Sequence, residues 1–203
     1  MPARPDMAGT TGRYDPVAIA LHWVIAAGIL TLIGMGLAMD HLSLPPMQVF
    51  RLYQLHKSIG ITLMLAIVLR IGWRLCHRAP ALPAAMPDIE RRAAHGTHGL
   101  LYGLQVLLPL SGWALVSASV FNIPTVLYGI VPWPHLPVLP TLHDKAPVEA
   151  ALKTLHHWGA WILTAVIALH AAAALRHHFV LKDGVLRQML PARRRAAKSS
   201  QPA

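Results

Sequence analysis

Four long stretches of apolar residues follow one another along the chain, separated by segments that hold most of the prolines and charges. They cover residues 17–39, 56–75, 98–121 and 156–176. The hydrocarbon core of a bilayer is crossed by a helix of about 20 apolar residues. The pattern therefore predicts an all-α integral membrane protein, a bundle of four transmembrane helices. The first stretch is too long for a cleaved signal peptide, and we expect it to be retained.

The four stretches belong to one predicted domain, residues 14–190. We expect residues 1–13 to form a flexible N-terminal extension and residues 191–203 to form a basic, disordered tail. The long segment between the third and fourth stretches, residues 122–155, is rich in proline. Proline disrupts the interior of a helix, so this segment is not expected to contain a fifth span.

Composition agrees with a membrane location. The chain is 55% hydrophobic and 13% charged, and its formal net charge is +10. Such a charge could indicate nucleic acid, but the basic residues are dispersed between apolar stretches and gathered at the chain ends. This arrangement favours anionic lipid headgroups as the partner and argues against nucleic-acid binding.

The distribution of Lys and Arg predicts the orientation of the bundle. Fourteen of the 18 fall at the chain ends or near the connection between the second and third spans, and four fall on the opposite side. The side with the excess is normally cytoplasmic. Both termini are therefore predicted to be cytoplasmic, with the outward loops at about residues 40–55 and 122–155.

The chain has one cysteine, Cys76, and no C-x-x-C-H motif. An intrachain disulfide is therefore excluded, and so is covalent attachment of haem in the manner of c-type cytochromes. Any haem would be held by coordination alone.

Histidines inside the spans indicate a function, because polar groups in lipid are costly. His22 lies near the inward end of the first span, and His56 and His156 lie at the outward ends of the second and fourth. His170 follows His156 by fourteen residues, which in a helix gives about 21 Å of rise and nearly the same direction. Depth therefore pairs His22 with His170 inward and His56 with His156 outward.

Two imidazoles from separate helices can ligate one iron on both axial sides, as in low-spin electron-transfer haems. The sequence thus predicts two haem b groups. Gly60 and Gly159 lie within one turn of a predicted ligand and would leave flat space for a porphyrin, and Gly99 and Gly103 could do so on the third helix.

Arg70 follows His56 by fourteen residues, so it should project from a similar face at the inward depth. A buried cation there needs an anion, and a haem propionate fits. Arg70 could instead extend to the inner headgroups. Arg74 is a second candidate for a propionate, with extension to the headgroups as an equal alternative.

Other histidines leave alternatives open. His157 adjoins His156 and would replace it as a ligand if the helical register differed by one residue. His98 and His95 lie at the inward mouth of the third span, where each could contact a propionate, relay a proton or face headgroups; for His95 we expect only a structural role.

The chain resembles the bacterial cytochrome b561 family of four-span, di-haem membrane proteins. The resemblance covers about residues 14–191 and rests on the order and spacing of several short motifs, namely R-Y-D-P-V-A-I-A-L-H-W, Q-L-H-K-S-I-G, V-L-R-I-G-W-R, L-K-T-L-H-H, A-L-H-A-A-A-A-L-R-H-H-F and K-D-G-V-L-R-Q-M-L-P. It implies ligands at His22, His56, His156 and His170, a place in the bacterial inner membrane, and quinone or quinol as electron partner.

Together these features predict a haem-dependent, quinone-linked oxidoreductase that passes electrons between the membrane faces. One alternative is a cytochrome subunit of a larger dehydrogenase or hydrogenase, with a soluble redox partner protein. A divalent-metal transporter is a further alternative, disfavoured because the spans carry no carboxylates. The direction of electron flow and the oligomeric state are left open.

Overall fold

The computed structural model describes residues 12–77, 79–82 and 86–191. The predicted N-terminal extension and basic tail fall largely on residues 1–11 and 192–203, which lie outside the described residues.

Four helices form the molecule: α1 (Pro16–His41), α2 (Pro46–Cys76), α3 (Asp88–Ser117) and α4 (Ala146–Phe179). Each is long and apolar enough to cross a membrane. The predicted four-span, all-α bundle is thereby confirmed.

The helices extend beyond the apolar stretches that predicted them. α2, α3 and α4 each begin ten residues earlier than predicted, and α3 ends at Ser117 instead of residue 121. The prediction marked only the part that matches the hydrocarbon thickness, whereas a helix keeps its own backbone hydrogen bonds into the headgroup region. The predicted outward loop 40–55 is consequently reduced to residues 42–45.

The start of α1 is fixed by Asp15. Its carboxylate accepts hydrogen bonds from the backbone N–H of Ala18 at 2.9 Å and from the indole Nε1 of Trp73 at 3.0 Å. Pro16 follows at the first helical position, where its missing N–H costs nothing. Asp15 thus caps α1 and also ties α1 to the end of α2.

The bundle has two distinct ends. The terminal end carries residues 12 and 191 and the connection between α2 and α3; the loop end carries residues 42–45 and 118–145. At the terminal end, the segment after α4 packs back onto α1, where Trp23 Nε1 donates to the carbonyl of Met189 at 2.7 Å and Arg13 donates to that of Leu190.

A small antiparallel hairpin covers part of the loop end. Its strands are β1 (Thr125–Leu127) and β2 (Val131–Trp133), joined by a turn in which Tyr128 and Gly129 have φ values of 52° and 74°. Tyr128 donates from its backbone N–H to Ser58 Oγ at 3.0 Å, and its hydroxyl contacts Thr62 Oγ1 at 2.8 Å. The hairpin is thus attached to α2 beside His56, and within the described residues this loop contains no fifth span.

Helix packing runs in chain order, α1 on α2, α2 on α3 and α3 on α4. Among the described residues, α1 and α4 make no extended contact. An apolar core fills the middle of the bundle and is made of Ile25, Ile29, Leu63, Ile67, Leu101, Leu104, Leu108 and Leu163. The core therefore lies at a depth between the histidines near the terminal end and those near the loop end.

We expect the Gly28→Ala variant to be less stable than the unmodified chain. A Cβ at position 28 would lie 2.6 Å from Leu63 Cδ2, and Leu63 is itself buried in the core. Overpacking of this kind costs about 1–3 kcal/mol. Thermal denaturation in detergent is the measurement, and Gly34→Ala is the matched control because a Cβ there meets nothing within 4 Å. Equal midpoints for the two variants would contradict this account of the α1–α2 contact.

Candidate functional site

The terminal end contains the first predicted histidine pair. His22 on α1 faces His170 on α4 with ring centroids 6.4 Å apart and ring planes at 63°. The two rings lie in the space between α1 and α4, which do not pack against each other. We call it the terminal-end pair.

The loop end contains the second. His56 on α2 faces His156 on α4 with centroids 6.3 Å apart and planes at 71°. The two members of this loop-end pair come from non-adjacent helices, so its rings meet across the interior of the bundle. Both pairings expected from depth are therefore present as juxtaposed rings.

The spacing of both pairs suits a single iron between each. An imidazole nitrogen coordinates a first-row metal at about 2 Å and lies about 1 Å from its ring centre, so two axial imidazoles have centroids about 6 Å apart. Both observed separations match this value. Among the described residues, no three His, Cys, Asp or Glu side chains converge as ligands of one metal ion. The described residues thus offer facing imidazoles, an arrangement that can hold a haem iron, and they do not form a compact metal cage.

Space beside the rings is consistent with a macrocycle. A Cβ at Gly60, Gly99 or Gly103 would meet nothing within 4 Å. Gly159 differs from the prediction, because a Cβ there would lie 3.0 Å from Leu108 Cδ2. Gly159 therefore serves close packing between α3 and α4, and it does not leave open space for a porphyrin.

Arg70 lies at the terminal-end pair, as its spacing predicted. Its guanidinium donates to the carbonyl of Ala18 at 3.3 Å, its Nη2 lies 3.2 Å from His22 Nδ1, and its Cζ lies 5.9 Å from the ring centroid of Tyr102. The Arg70 guanidinium thus reaches from α2 across to α1. Arg74 is more exposed than Arg70. Both arginines line a cavity at the terminal end of the bundle, together with Tyr14 and Asp15.

The cavity beside Arg70 is suited to an anion. Burial raises the pKa of the Tyr14 phenol above its ordinary value, so this group is neutral. Desolvation acts to raise the pKa of Asp15, but hydrogen bonds from Ala18 and Trp73 outweigh it and hold the pKa below its usual range. Two permanently charged guanidiniums, Arg70 and Arg74, thus face one carboxylate, and the net charge is positive.

The remaining histidine alternatives differ in their surroundings. The His98 ring lies 5.4 Å from that of His170, which brings it to the terminal-end pair as a third imidazole. His95 is exposed. His157 is also exposed, and its ring lies against Trp158 at 5.7 Å instead of facing His56. The geometry therefore favours His156 over His157.

Sequence reasoning missed two residues of α3 that touch His156. Ser111 Oγ lies 3.0 Å from His156 Nδ1, and a Cβ at Gly112 would lie 3.1 Å from His156 Cε1. Ser111 is thirteen residues after His98, a rise of about 20 Å that places it at the loop-end depth. Extending the search for polar residues in the spans from histidine to serine would have found it.

A four-span membrane bundle with imidazoles facing each other across its interior belongs to the class of membrane electron-transfer cytochromes. Comparison with known proteins gives the family. The family model of prokaryotic cytochrome b561 matches residues 13–192, so the chain belongs to the prokaryotic cytochrome b561 family.

Several curated relatives match along nearly their whole length. Cytochrome b561 homolog 2 of Escherichia coli is 34% identical over 186 residues, which are 91% of this chain and 95% of that protein. The Yersinia pestis protein named probable superoxide oxidase CybB is 29% identical, covering 90% of this chain and 98% of its own. Cytochrome b562 of Cereibacter sphaeroides is 27% identical over 87% of this chain and 94% of its own.

Membership of this family makes the chain a membrane electron-transfer protein of the bacterial inner membrane and implies b-type haem as its cofactor. It also speaks against the divalent-metal transporter considered from the sequence.

Proposed function

We propose that the chain binds two b haems, one at each histidine pair, and transfers electrons between the two faces of the membrane with a quinone or quinol as one partner. The observation that carries the proposal is the separation of the ring centroids, 6.4 Å at the terminal end and 6.3 Å at the loop end. Both values suit one iron between two axial imidazoles.

The residues of the two sites have distinct tasks. His22 and His170 would hold one haem and His56 and His156 the other, and the positive cavity formed by Arg70 and Arg74 would receive propionates. A haem held in this way would supply a one-electron Fe(III)/Fe(II) couple.

The protein between the sites keeps them separate and dry. The core residues Leu63, Leu104 and Leu163 are buried at the depth between the pairs and exclude water from it. On α4, His156 and His170 are fourteen residues apart, which corresponds to about 21 Å along the helix. This arrangement favours electron transfer in two steps across the bilayer.

Replacement of single ligands tests the assignment. We expect His22→Ala, His56→Ala, His156→Ala and His170→Ala each to lower the haem content of purified protein from about two per chain to about one, because each change removes one of the two imidazoles proposed to hold that haem. His157→Ala and His95→Ala are the matched controls and should retain both haems. Full haem content in the four ligand variants would refute the pairing.

The nature of the electron partner defines a second test. We expect a short-chain quinol to reduce the haem of the purified protein without any added protein, as followed by b-type absorption bands. Dependence on a stoichiometric, co-purifying dehydrogenase or hydrogenase would instead favour the subunit alternative. Lack of reduction by quinol alone would contradict a direct quinone partner.

Superoxide is a second candidate donor because the Yersinia pestis relative is named a probable superoxide oxidase. In such a reaction two superoxide ions each lose one electron and leave as dioxygen, and a quinone takes up these two electrons with two protons to become quinol. Reduction of the haem by enzymatically generated superoxide, suppressed by superoxide dismutase, would support this function.

We further propose that the terminal end faces the cytoplasm, supported by the excess of Lys and Arg there. The single cysteine provides the test, because Cys76 is exposed at this end. A membrane-impermeant maleimide should label Cys76 only after cells are permeabilised. A Cys76→Ser, Thr141→Cys variant carries its thiol in the loop at the opposite end and should be labelled in intact cells. The reverse labelling pattern would contradict the orientation.

A further inference from the structure

We propose that Ser111 on α3 is a positioning residue that fixes the tautomer of His156 and thereby sets the electron-donating strength of that ligand. The inference rests on the ligand pairs of the proposed function. In this proposal α3, which carries none of the four haem-ligating histidines, controls the chemistry of the loop-end site through Ser111.

The hydroxyl of Ser111 makes two hydrogen bonds, and their directions follow from the chemistry of the partners. Ser111 Oγ lies 2.8 Å from the carbonyl oxygen of Leu108 and 3.0 Å from His156 Nδ1. The carbonyl can only accept, so the single hydroxyl proton of Ser111 is donated to Leu108. The lone pairs of Oγ then accept from Nδ1–H of His156. Nε2 is left as the nitrogen with a free lone pair, which is the form that an iron ligand requires.

Close packing of α3 against α4 holds the contact between Ser111 and His156 in place. Leu108 Cδ2 lies against Gly159, one turn after His156, and the ring of His156 lies against Gly112. Larger residues at Gly159 or Gly112 would push α3 and α4 apart. The small residues therefore hold the serine hydroxyl and the imidazole at hydrogen-bonding distance.

The hydrogen bonds of His156 differ from those of the other paired histidines. His56, which faces His156, has a buried Nδ1 without a hydrogen-bond partner in the described residues. At the terminal-end pair, His22 Nδ1 lies 3.2 Å from Arg70, which has no acceptor and so cannot hold an Nδ1–H in place. Within the loop-end pair, Ser111 therefore provides a side-chain hydrogen bond to His156 that favours one orientation and one tautomer, and the backbone carbonyl of Leu108 is a second acceptor beside the same ring.

The chemical consequence concerns reduction potential. An acceptor on the distal N–H of a metal-bound imidazole raises the basicity of the ligand and stabilises the oxidised metal. Removing the acceptor should therefore raise the midpoint potential of the loop-end haem and leave the terminal-end haem unchanged.

The experiment compares redox titrations of purified, full-length variants. Ser111→Ala should raise one of the two midpoint potentials. Ser111→Thr should keep that potential at the value of the unmodified protein, because threonine can make both hydrogen bonds. Ser117→Ala is the control, since Ser117 is buried on the same helix but bonds to Trp113 and Leu136. In the His22→Ala background the Ser111→Ala shift should persist, and in the His56→Ala background it should disappear.

Each outcome has a defined meaning. Unchanged midpoints in Ser111→Ala, or an equal shift in Ser117→Ala, would overturn the role of Ser111. If Ser111→Ala loses the loop-end haem, recovery of that haem and its potential by Ser111→Thr supports the role, and failure to recover overturns it. Unaltered haem content in the His22→Ala and His56→Ala chains would instead refute the ligand pairs themselves.

Discussion

A polar nitrogen in the hydrocarbon region of a bilayer must find a partner, because no water is there to hydrate it. Four imidazoles of this chain are subject to that constraint, and the bundle sets them opposite each other at two depths. The architecture follows from it. α1 and α4 remain apart where His22 faces His170, His56 meets His156 across the interior, and the main apolar cluster lies in the layer between the two pairs.

The four helices contribute different residues to the two histidine pairs. α1, α2 and α4 carry the paired imidazoles, whereas α3 packs tightly on α4 and contributes residues that adjust the rings. At the loop end these are Ser111 and Gly112, and at the terminal end His98 approaches His170. The two sites also differ in electrostatics, since Arg70 faces His22 whereas a neutral hydroxyl faces His156. Unequal surroundings give two otherwise similar sites different properties.

The depth of each histidine could be predicted from the sequence because a helix converts residue number into height at a fixed rise. The same rule predicts the depth of Arg70, whose guanidinium lies 3.2 Å from His22 Nδ1. Helix ends could not be predicted in this way, since the apolar stretch marks the hydrocarbon and not the helix. Gly159 was misassigned because spacing along α4 does not reveal that Leu108 of α3 occupies the neighbouring space. The hairpin at Tyr128 depends on Ser58 and Thr62, contacts between distant parts of the chain.

The haem content and spin state of the purified, unmodified protein test the central claim most directly. Two facing imidazole pairs predict about two b haems per chain, both low-spin and both unable to bind carbon monoxide because each axial position is filled. Quantification of the haem together with reduced spectra, recorded with and without carbon monoxide, gives the answer. A single haem per chain, or a high-spin form that binds carbon monoxide at either site, would contradict the account.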